Sequence, residues 1–140
     1  MKRNLFLVFW TIGILMPVAW LVRPSPVAYR VFNTLFSPVW MHILMHSLLF
    51  AVLGALLMQS LSGTLARRVG LTLALVLVAA IFQEGFQLLS RQSVLHPDNL
   101  FDITVDMLGG LLGGLLGLSA ALAFRKIAAI RAARTQVPTM

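Results

Sequence analysis

The sequence contains no cysteine and very few acidic residues. The absence of cysteine from its 140 residues excludes disulfide bonds, thiolate metal sites and cysteine nucleophiles. Only four residues are acidic, and charged residues make up 11% of the chain, whereas roughly a quarter of a soluble domain is charged. A water-soluble globular fold is therefore not expected, and the chemistry of any site has to come from imidazole, carboxylate, amide or hydroxyl groups.

Basic residues outnumber acidic ones, and hydrophobic residues dominate the composition. The chain has 11 Lys and Arg residues, a formal net charge of +7 and a hydrophobic content of 59%. The basic residues are scattered among apolar runs, so they indicate anchoring beside anionic lipid rather than binding to nucleic acid. The lipid bilayer is the expected partner, together with other membrane subunits or further copies of the chain.

Four apolar windows are long enough to cross a membrane as helices, which takes about 20 residues. They cover residues 4–22, 38–61, 69–90 and 103–124. The first window is long for a signal peptide and lacks a small-x-small cleavage site, so we expect it to be retained as an anchor. The sequence predicts an all-α fold, with one transmembrane domain over residues 1–140 that forms a four-helix bundle.

The distribution of basic residues predicts how the spans are oriented. Eight lie on one side of the windows, namely Lys2, Arg3, Arg67, Arg68, Arg125, Lys126, Arg131 and Arg134. Three lie on the other side, namely Arg23, Arg30 and Arg91. The positive-inside rule then puts both termini in the cytoplasm, with residues 125–140 as a basic tail. We expect a multi-pass protein of a bacterial-type cytoplasmic (inner) membrane.

The segment between the first two windows has two interpretations. The run Arg23-Pro24-Ser25-Pro26 does not permit a regular helix. In the residues that follow, Val27, Val31 and Leu35 share one helical face, which is typical of a short helix lying flat at the outer surface. The alternative is an ordinary loop whose apolar residues touch the bundle.

Polar residues within the windows cluster at one depth. Ionisable side chains cost about 2.5 to 3.5 kcal/mol at the bilayer centre, so their positions are informative. Seven polar residues are expected near the outer face: His42, His46, Glu84, Gln87, Arg91, Asp102 and Asp106. They form either one polar pocket for a ligand or a clamp that fixes helix packing with hydrogen bonds of about 1 kcal/mol each.

No metal site and no cofactor are predicted from these residues. In a ligand pocket, Arg91 is suited to an anion, Glu84 or Asp102 to a general base, and His46 to an acid or a metal ligand. Ligation of haem or chlorophyll by His42 or His46 is a further option. No spacing in the sequence is diagnostic of an enzyme.

The fourth window contains a face with almost no side chains. Gly109, Gly113 and Gly117 recur at intervals of four, so another helix can approach this face closely. Asp102 and Asp106 lie on the same stripe, which therefore leads into the polar cluster. The sequence leaves open whether the partner is the second span, the third span or another subunit.

Several of these residues follow a spacing known from one family. In chain order they are His46, Phe50, Glu84, Gln87, Arg91, Asp102, Asp106, Gly109 and Gly113. This spacing resembles the VanZ-like family of small integral membrane proteins over residues 38–120. The resemblance implies a membrane bundle with a role in the cell envelope. Asp106 stands where the family usually has Asn, and Ile43 where it has Lys, so the pocket of this chain is the more acidic.

Three classes of function follow from the sequence. The first is an envelope protein that binds a lipid head group or another outer ligand in the polar pocket. The second is a non-catalytic accessory subunit of a larger membrane complex, packed through its glycine-rich fourth helix. Transport is less favoured, because four short spans show no broken-helix pair and no inverted repeat.

Overall fold

The computed structural model describes residues 2–16, 18–92 and 94–135, and within these ranges every regular element is an α-helix. The described side chains exclude those of Lys2, Arg3, Ala19, Trp20, Arg91 and residues 133–135. The helices are α1 Lys2–Leu15, α2 Val18–Val22, α3 Pro26–Phe36, α4 Val39–Ser60, α5 Leu65–Arg91 and α6 Pro97–Thr135. The predicted all-α class is confirmed.

Three of these helices, α4, α5 and α6, are long and apolar enough to cross a membrane. They correspond to the second, third and fourth predicted windows, but α5 and α6 begin earlier than predicted. The Thr64 hydroxyl caps α5 by accepting a hydrogen bond from the Arg67 amide at 3.3 Å. Pro97 opens α6, where its missing amide hydrogen is not needed by the helix.

The first predicted window, residues 4–22, contains two helical segments rather than one. Helix α1 ends at Leu15 and α2 begins at Val18. The sequence has proline at position 17, which cannot donate to the helical hydrogen-bond ladder and disfavours helical geometry in the preceding residue. With 14 residues, α1 is about 21 Å long, less than the roughly 30 Å of a hydrocarbon core.

The segment that begins at Pro26 is the short helix α3 and not a loop. The Ser25 hydroxyl caps it by accepting a hydrogen bond from the Ala28 amide at 3.3 Å. Val27, Val31 and Leu35, which share one face of the helix, are all exposed. The rings of Phe32 and Phe36 lie on another side of the helix, 4.7 Å apart, and face the rest of the protein.

Helices α4 and α6 pack through glycine. Gly109, Gly113 and Gly117 of α6 lie against Ser47, Ala51 and Ala55 of α4. The residue numbers rise together along both helices, so α4 and α6 are parallel. A Cβ atom on Gly109 would lie 2.5 Å from the Ser47 carbonyl oxygen, and one on Gly113 would overlap the Ala51 carbonyl. The close approach therefore requires glycine at these positions.

Helix α5 packs antiparallel to α6 beside this pair. Gly110 lies against Val76 and Gly114 near Thr72, so the numbers fall along α5 as they rise along α6. The indole of Trp10 ties α1 to α4 by donating a hydrogen bond to the Leu49 carbonyl at 3.0 Å. The apolar core between these helices consists of Ile14, Phe50, Leu53, Leu57, Val76, Ala79 and Ala80.

The last helix is longer than a membrane crossing needs. Its 39 residues reach Thr135 and correspond to about 58 Å. The helix therefore continues through most of the predicted basic tail, as the alanine-rich sequence there favours. The rest of that tail, residues 136–140, falls outside the described residues.

Candidate functional site

Two parallel helices bring two histidines opposite two aspartates. His42 and His46 lie one turn apart on α4, and Asp102 and Asp106 lie one turn apart on α6. The His42 Nε2 atom is 3.0 Å from the Asp102 carboxylate, and His46 Nδ1 is 2.9 Å from that of Asp106. The imidazole rings are 4.3 Å apart. The glycine contacts farther along α6 set the distance between the helices at which both pairs form.

The two pairs differ in their access to solvent. His42 and Asp102 are half-buried, whereas His46 is only 5% exposed and Asp106 is fully buried. A buried ion pair needs further hydrogen bonds to offset the loss of hydration. One oxygen of Asp106, Oδ2, has no hydrogen-bond partner among the described groups. The inner pair is therefore the less completely satisfied of the two.

A third carboxylate comes from α5. Glu84 is 3% exposed, and its Oε2 accepts a hydrogen bond from the Asn99 side chain at 2.8 Å. Its other oxygen, Oε1, is buried and has no partner in the described part of the chain. Three carboxyl groups thus meet two imidazoles. Even with both rings protonated, three ionised carboxylates would leave this group of side chains negative.

The cluster contains two overlapping sets of side chains, each made of residue types that bind metal ions. One set is His42, His46 and Asp102, and the other is His46, Glu84 and Asp106. Within each set, one ligand atom per residue lies within 4.8 Å of the others. Imidazole and carboxylate groups at this spacing can share protons or bind a cation.

A cavity of about 600 Å³ reaches the histidines from the end of the bundle where α2 and α3 lie. Its polar lining includes Arg23, Tyr29, Asn33, His42, His46, Gln83, Gln87 and Ser90. Its apolar lining includes Phe32, Phe36 and Phe86. Polar side chains from α3, α4 and α5, together with Arg23, therefore share the cavity lining with aromatic rings.

No protein-family model, no curated protein and no solved structure matches this chain. The resemblance to the VanZ-like family rests on the spacing of the motif residues, and it stays a prediction.

The structure brings together most of the polar residues selected from the sequence. His42, His46, Glu84, Asp102 and Asp106 form one cluster, and Gln87 lines the cavity beside it. Arg91 ends α5, but its side chain lies outside the described part of the structure.

Sequence reasoning missed three residues of this region. Asn99, which was not among the polar residues selected from the sequence, donates a hydrogen bond to Glu84. Gln83 is buried and lines the cavity, and Arg23 supplies a cation to its lining. The signal for Asn99 was Pro97, because a proline suited to the first helical turn starts α6 six residues before the predicted window.

Proposed function

We propose that this chain is a VanZ-like, multi-pass protein of a bacterial-type cytoplasmic membrane. Its cavity binds the head group of a lipid or a related cell-envelope ligand on the outer side. The observation that carries the proposal is the cavity, whose volume falls within the roughly 300–1,000 Å³ typical of small-ligand sites. Its lining combines a few polar groups with aromatic walls, which suits an amphiphile.

The proposed ligand carries a phosphate. Arg23 lines the cavity, and a guanidinium binds phosphate oxygens through paired hydrogen bonds. Gln83 and Gln87 offer amide groups to the rest of the head group. The apolar part of the ligand then lies along Phe32 and Phe36 of α3.

The proposal places four spans in the membrane. Helices α4, α5 and α6 form three of them, and α1 together with α2 forms the first. Both termini then lie in the cytoplasm, because the basic first turn of α5, with Arg67 and Arg68, and the basic end of α6 share one side. The cavity faces the outer side, and the exposed stripe of Val27, Val31 and Leu35 lets α3 lie in the outer interface.

Phospholipid binding by the purified full-length protein tests this function. Short-chain phosphatidylglycerol is titrated in mild detergent and followed by isothermal titration calorimetry. We expect Arg23→Gln to weaken binding by about tenfold, because a charge-assisted hydrogen bond is lost. Arg30→Gln is the matched control, since Arg30 is exposed on α3 but does not line the cavity. Equal loss in both variants would mean that surface charge attracts the lipid and that the cavity does not bind it.

A second pair of variants tests the cavity itself. Gly13 lines it, and a Cβ atom there would meet no atom within 4 Å, so Gly13→Leu adds a side chain without a backbone clash. Gly70→Leu makes the same change at an open position outside the cavity. The proposal requires weaker phospholipid binding in Gly13→Leu and unchanged binding in Gly70→Leu. Unchanged binding in both variants would contradict it.

One of the features that favoured the accessory-subunit alternative, the glycine face, is used for packing within the chain. The face of Gly109, Gly113 and Gly117 is covered by α4 of the same chain. Helices α4 and α6 occupy each other's close-packing surfaces, so this stripe is not open to another subunit.

A further inference from the structure

In the inner half of the polar cluster, three side chains of the types that bind metal ions are almost completely buried. His46 is 5% exposed, Glu84 is 3% exposed and Asp106 is fully buried. They come from α4, α5 and α6, so three helices converge on one point. One potential ligand atom from each lies within 4.8 Å of the other two.

Two carboxylate oxygens in this cluster are buried without a partner. These are Glu84 Oε1 and Asp106 Oδ2, for which no described group of the protein provides a hydrogen bond. A buried carboxylate oxygen without compensation costs several times the value of an ordinary hydrogen bond. Both oxygens belong to side chains held in place through their other oxygen, by Asn99 and by His46.

We infer that His46, Glu84 and Asp106 form a binding site for one divalent transition-metal ion of the Mn²⁺ to Zn²⁺ class. One imidazole and two carboxylates are a ligand set for ions of this class, whereas Ca²⁺ and Mg²⁺ favour oxygen ligands alone. Two positive charges also offset the charges of the two buried carboxylates. The inference departs from the sequence-based expectation, which included no metal site.

The distance between two of the ligand atoms fits such an ion. Adjacent ligands of a six-coordinate ion with bonds of about 2.1 Å are about 3.0 Å apart. His46 Nδ1 and Asp106 Oδ1 are 2.9 Å apart. On binding, the proton shared by this pair is released to solvent, and His46 Nδ1 and the Asp106 carboxylate, whose Oδ2 has no other partner, bind the ion. Asn99 then acts as a positioning residue, because it holds the Glu84 carboxylate through the second oxygen.

The cavity gives the ion a route and leaves it open positions. His46 lines the cavity, so an ion reaches the cluster past the histidine rings. Three protein ligands leave room for water or an anionic group on the cavity side. Coordination of a lipid phosphate at these positions rests on the proposed function, whereas the metal site itself does not.

Metal binding is measured on the full-length protein in mild detergent, carrying no polyhistidine tag and stripped with a chelator. Zn²⁺ is titrated by calorimetry without added lipid, and bound metal is counted by mass spectrometry. We expect one ion per chain. Glu84→Gln and Asp106→Asn should each weaken binding by more than about tenfold, since each removes a ligand charge. Uptake of less than one ion per two chains at saturating Zn²⁺ would overturn the inference.

The surface pair His96 and Asp98 provides matched controls. Its atoms are also 3.0 Å apart, but both side chains are exposed. His96→Gln and Asp98→Asn should therefore leave the affinity within about twofold of the unchanged protein. Equal losses from the surface pair and from the buried cluster would show that the protein binds Zn²⁺ only through scattered carboxylates and histidines, which contradicts a built site.

Two further measurements distinguish the set His46, Glu84 and Asp106 from the set His42, His46 and Asp102, and the second measurement needs no variant. If Asp102→Asn abolishes binding and Glu84→Gln does not, the ion lies among His42, His46 and Asp102, and the inference is wrong. Mn²⁺ bound to the unchanged protein should show electron spin-echo modulation from one directly bound histidine nitrogen. Two nitrogens, or none, would overturn the assignment. Failure of these tests leaves the lipid-binding results unaffected, because those are measured by a separate titration.

Discussion

Single side chains determine how well the buried charges of this protein are compensated. Glu84 depends on Asn99 for its one hydrogen bond in the described structure, and Asp106 depends on His46. These contacts join residues far apart in sequence. Spacing within one helix predicted that each residue lies on the inner face, but it gave no information on which partner it meets.

Substitutions of Asn99 test the support of Glu84. Asn99→Ala should lower the free energy of unfolding by about 2 kcal/mol, the value of a hydrogen bond to a charged group. Asn99→Asp should lower it further, because two carboxylates would then face each other at about the 2.8 Å of the present contact. Thermal unfolding in detergent provides the measurement. The same two changes at Asn33, which is exposed on α3, should have small effects. Similar losses at both asparagines would show that Asn99 does not support Glu84.

The residues predicted from the sequence and those that were missed differ in one physical respect. His46, Glu84 and Asp106 were found because a charge within an apolar span is costly, and this cost is visible in the sequence. Trp10 and Arg23 were missed as contacts because such residues are common near membrane surfaces and have no unusual cost there. Their roles depend on the helices that they meet.

At the scale of the helices, glycine at single positions determines how closely α4 and α6 approach. Gly113 and Gly114 are neighbours, yet their surroundings differ. A Cβ atom on Gly113 would overlap the Ala51 carbonyl, whereas one on Gly114 would meet its nearest atom, Met58 Cε, at 3.5 Å. The first position has no space for a methyl group, and the second allows ordinary contact.

The same change at these two positions should therefore have opposite effects. Gly113→Ala should lower the free energy of unfolding by about 3 kcal/mol, since backbone atoms have to move apart. Gly114→Ala should raise it by up to about 1 kcal/mol, because alanine is the better helix former. Unfolding in a denaturing detergent measures both. Equal destabilisation by the two substitutions would mean that the α4–α6 contact is looser than the structure shows.

The apolar windows predicted the long helices well because span length follows from bilayer thickness. Their beginnings were less well predicted. Helix α5 starts at the Thr64 cap and α6 at Pro97, and both precede the apolar run. The break after Leu15 was missed because hydropathy continues unchanged through proline, which interrupts hydrogen bonding but not apolar character.

At the scale of the whole molecule, the natural absence of cysteine permits a direct test of topology. Single cysteines are placed by Asn4→Cys, Ser62→Cys and Val94→Cys and labelled in intact cells with a membrane-impermeant maleimide. With four spans and cytoplasmic termini, only Val94→Cys should react before the cells are permeabilised. Reaction of both Asn4→Cys and Val94→Cys, with Ser62→Cys protected, would mean that α1 and α2 do not cross and that the chain has three spans.

The contacts between α4 and α6 have one more consequence, which concerns sliding. If α6 moved along α4 by one turn, about 5.4 Å, Gly109 would lie opposite Ala51 and Gly113 opposite Ala55. Small residues would still meet small residues, so the glycine face alone allows more than one register. In the shifted register, however, Asp106 would lie opposite Phe50, which is fully buried and offers no hydrogen bond. The histidine–aspartate pairs therefore select one register from several that the glycines permit.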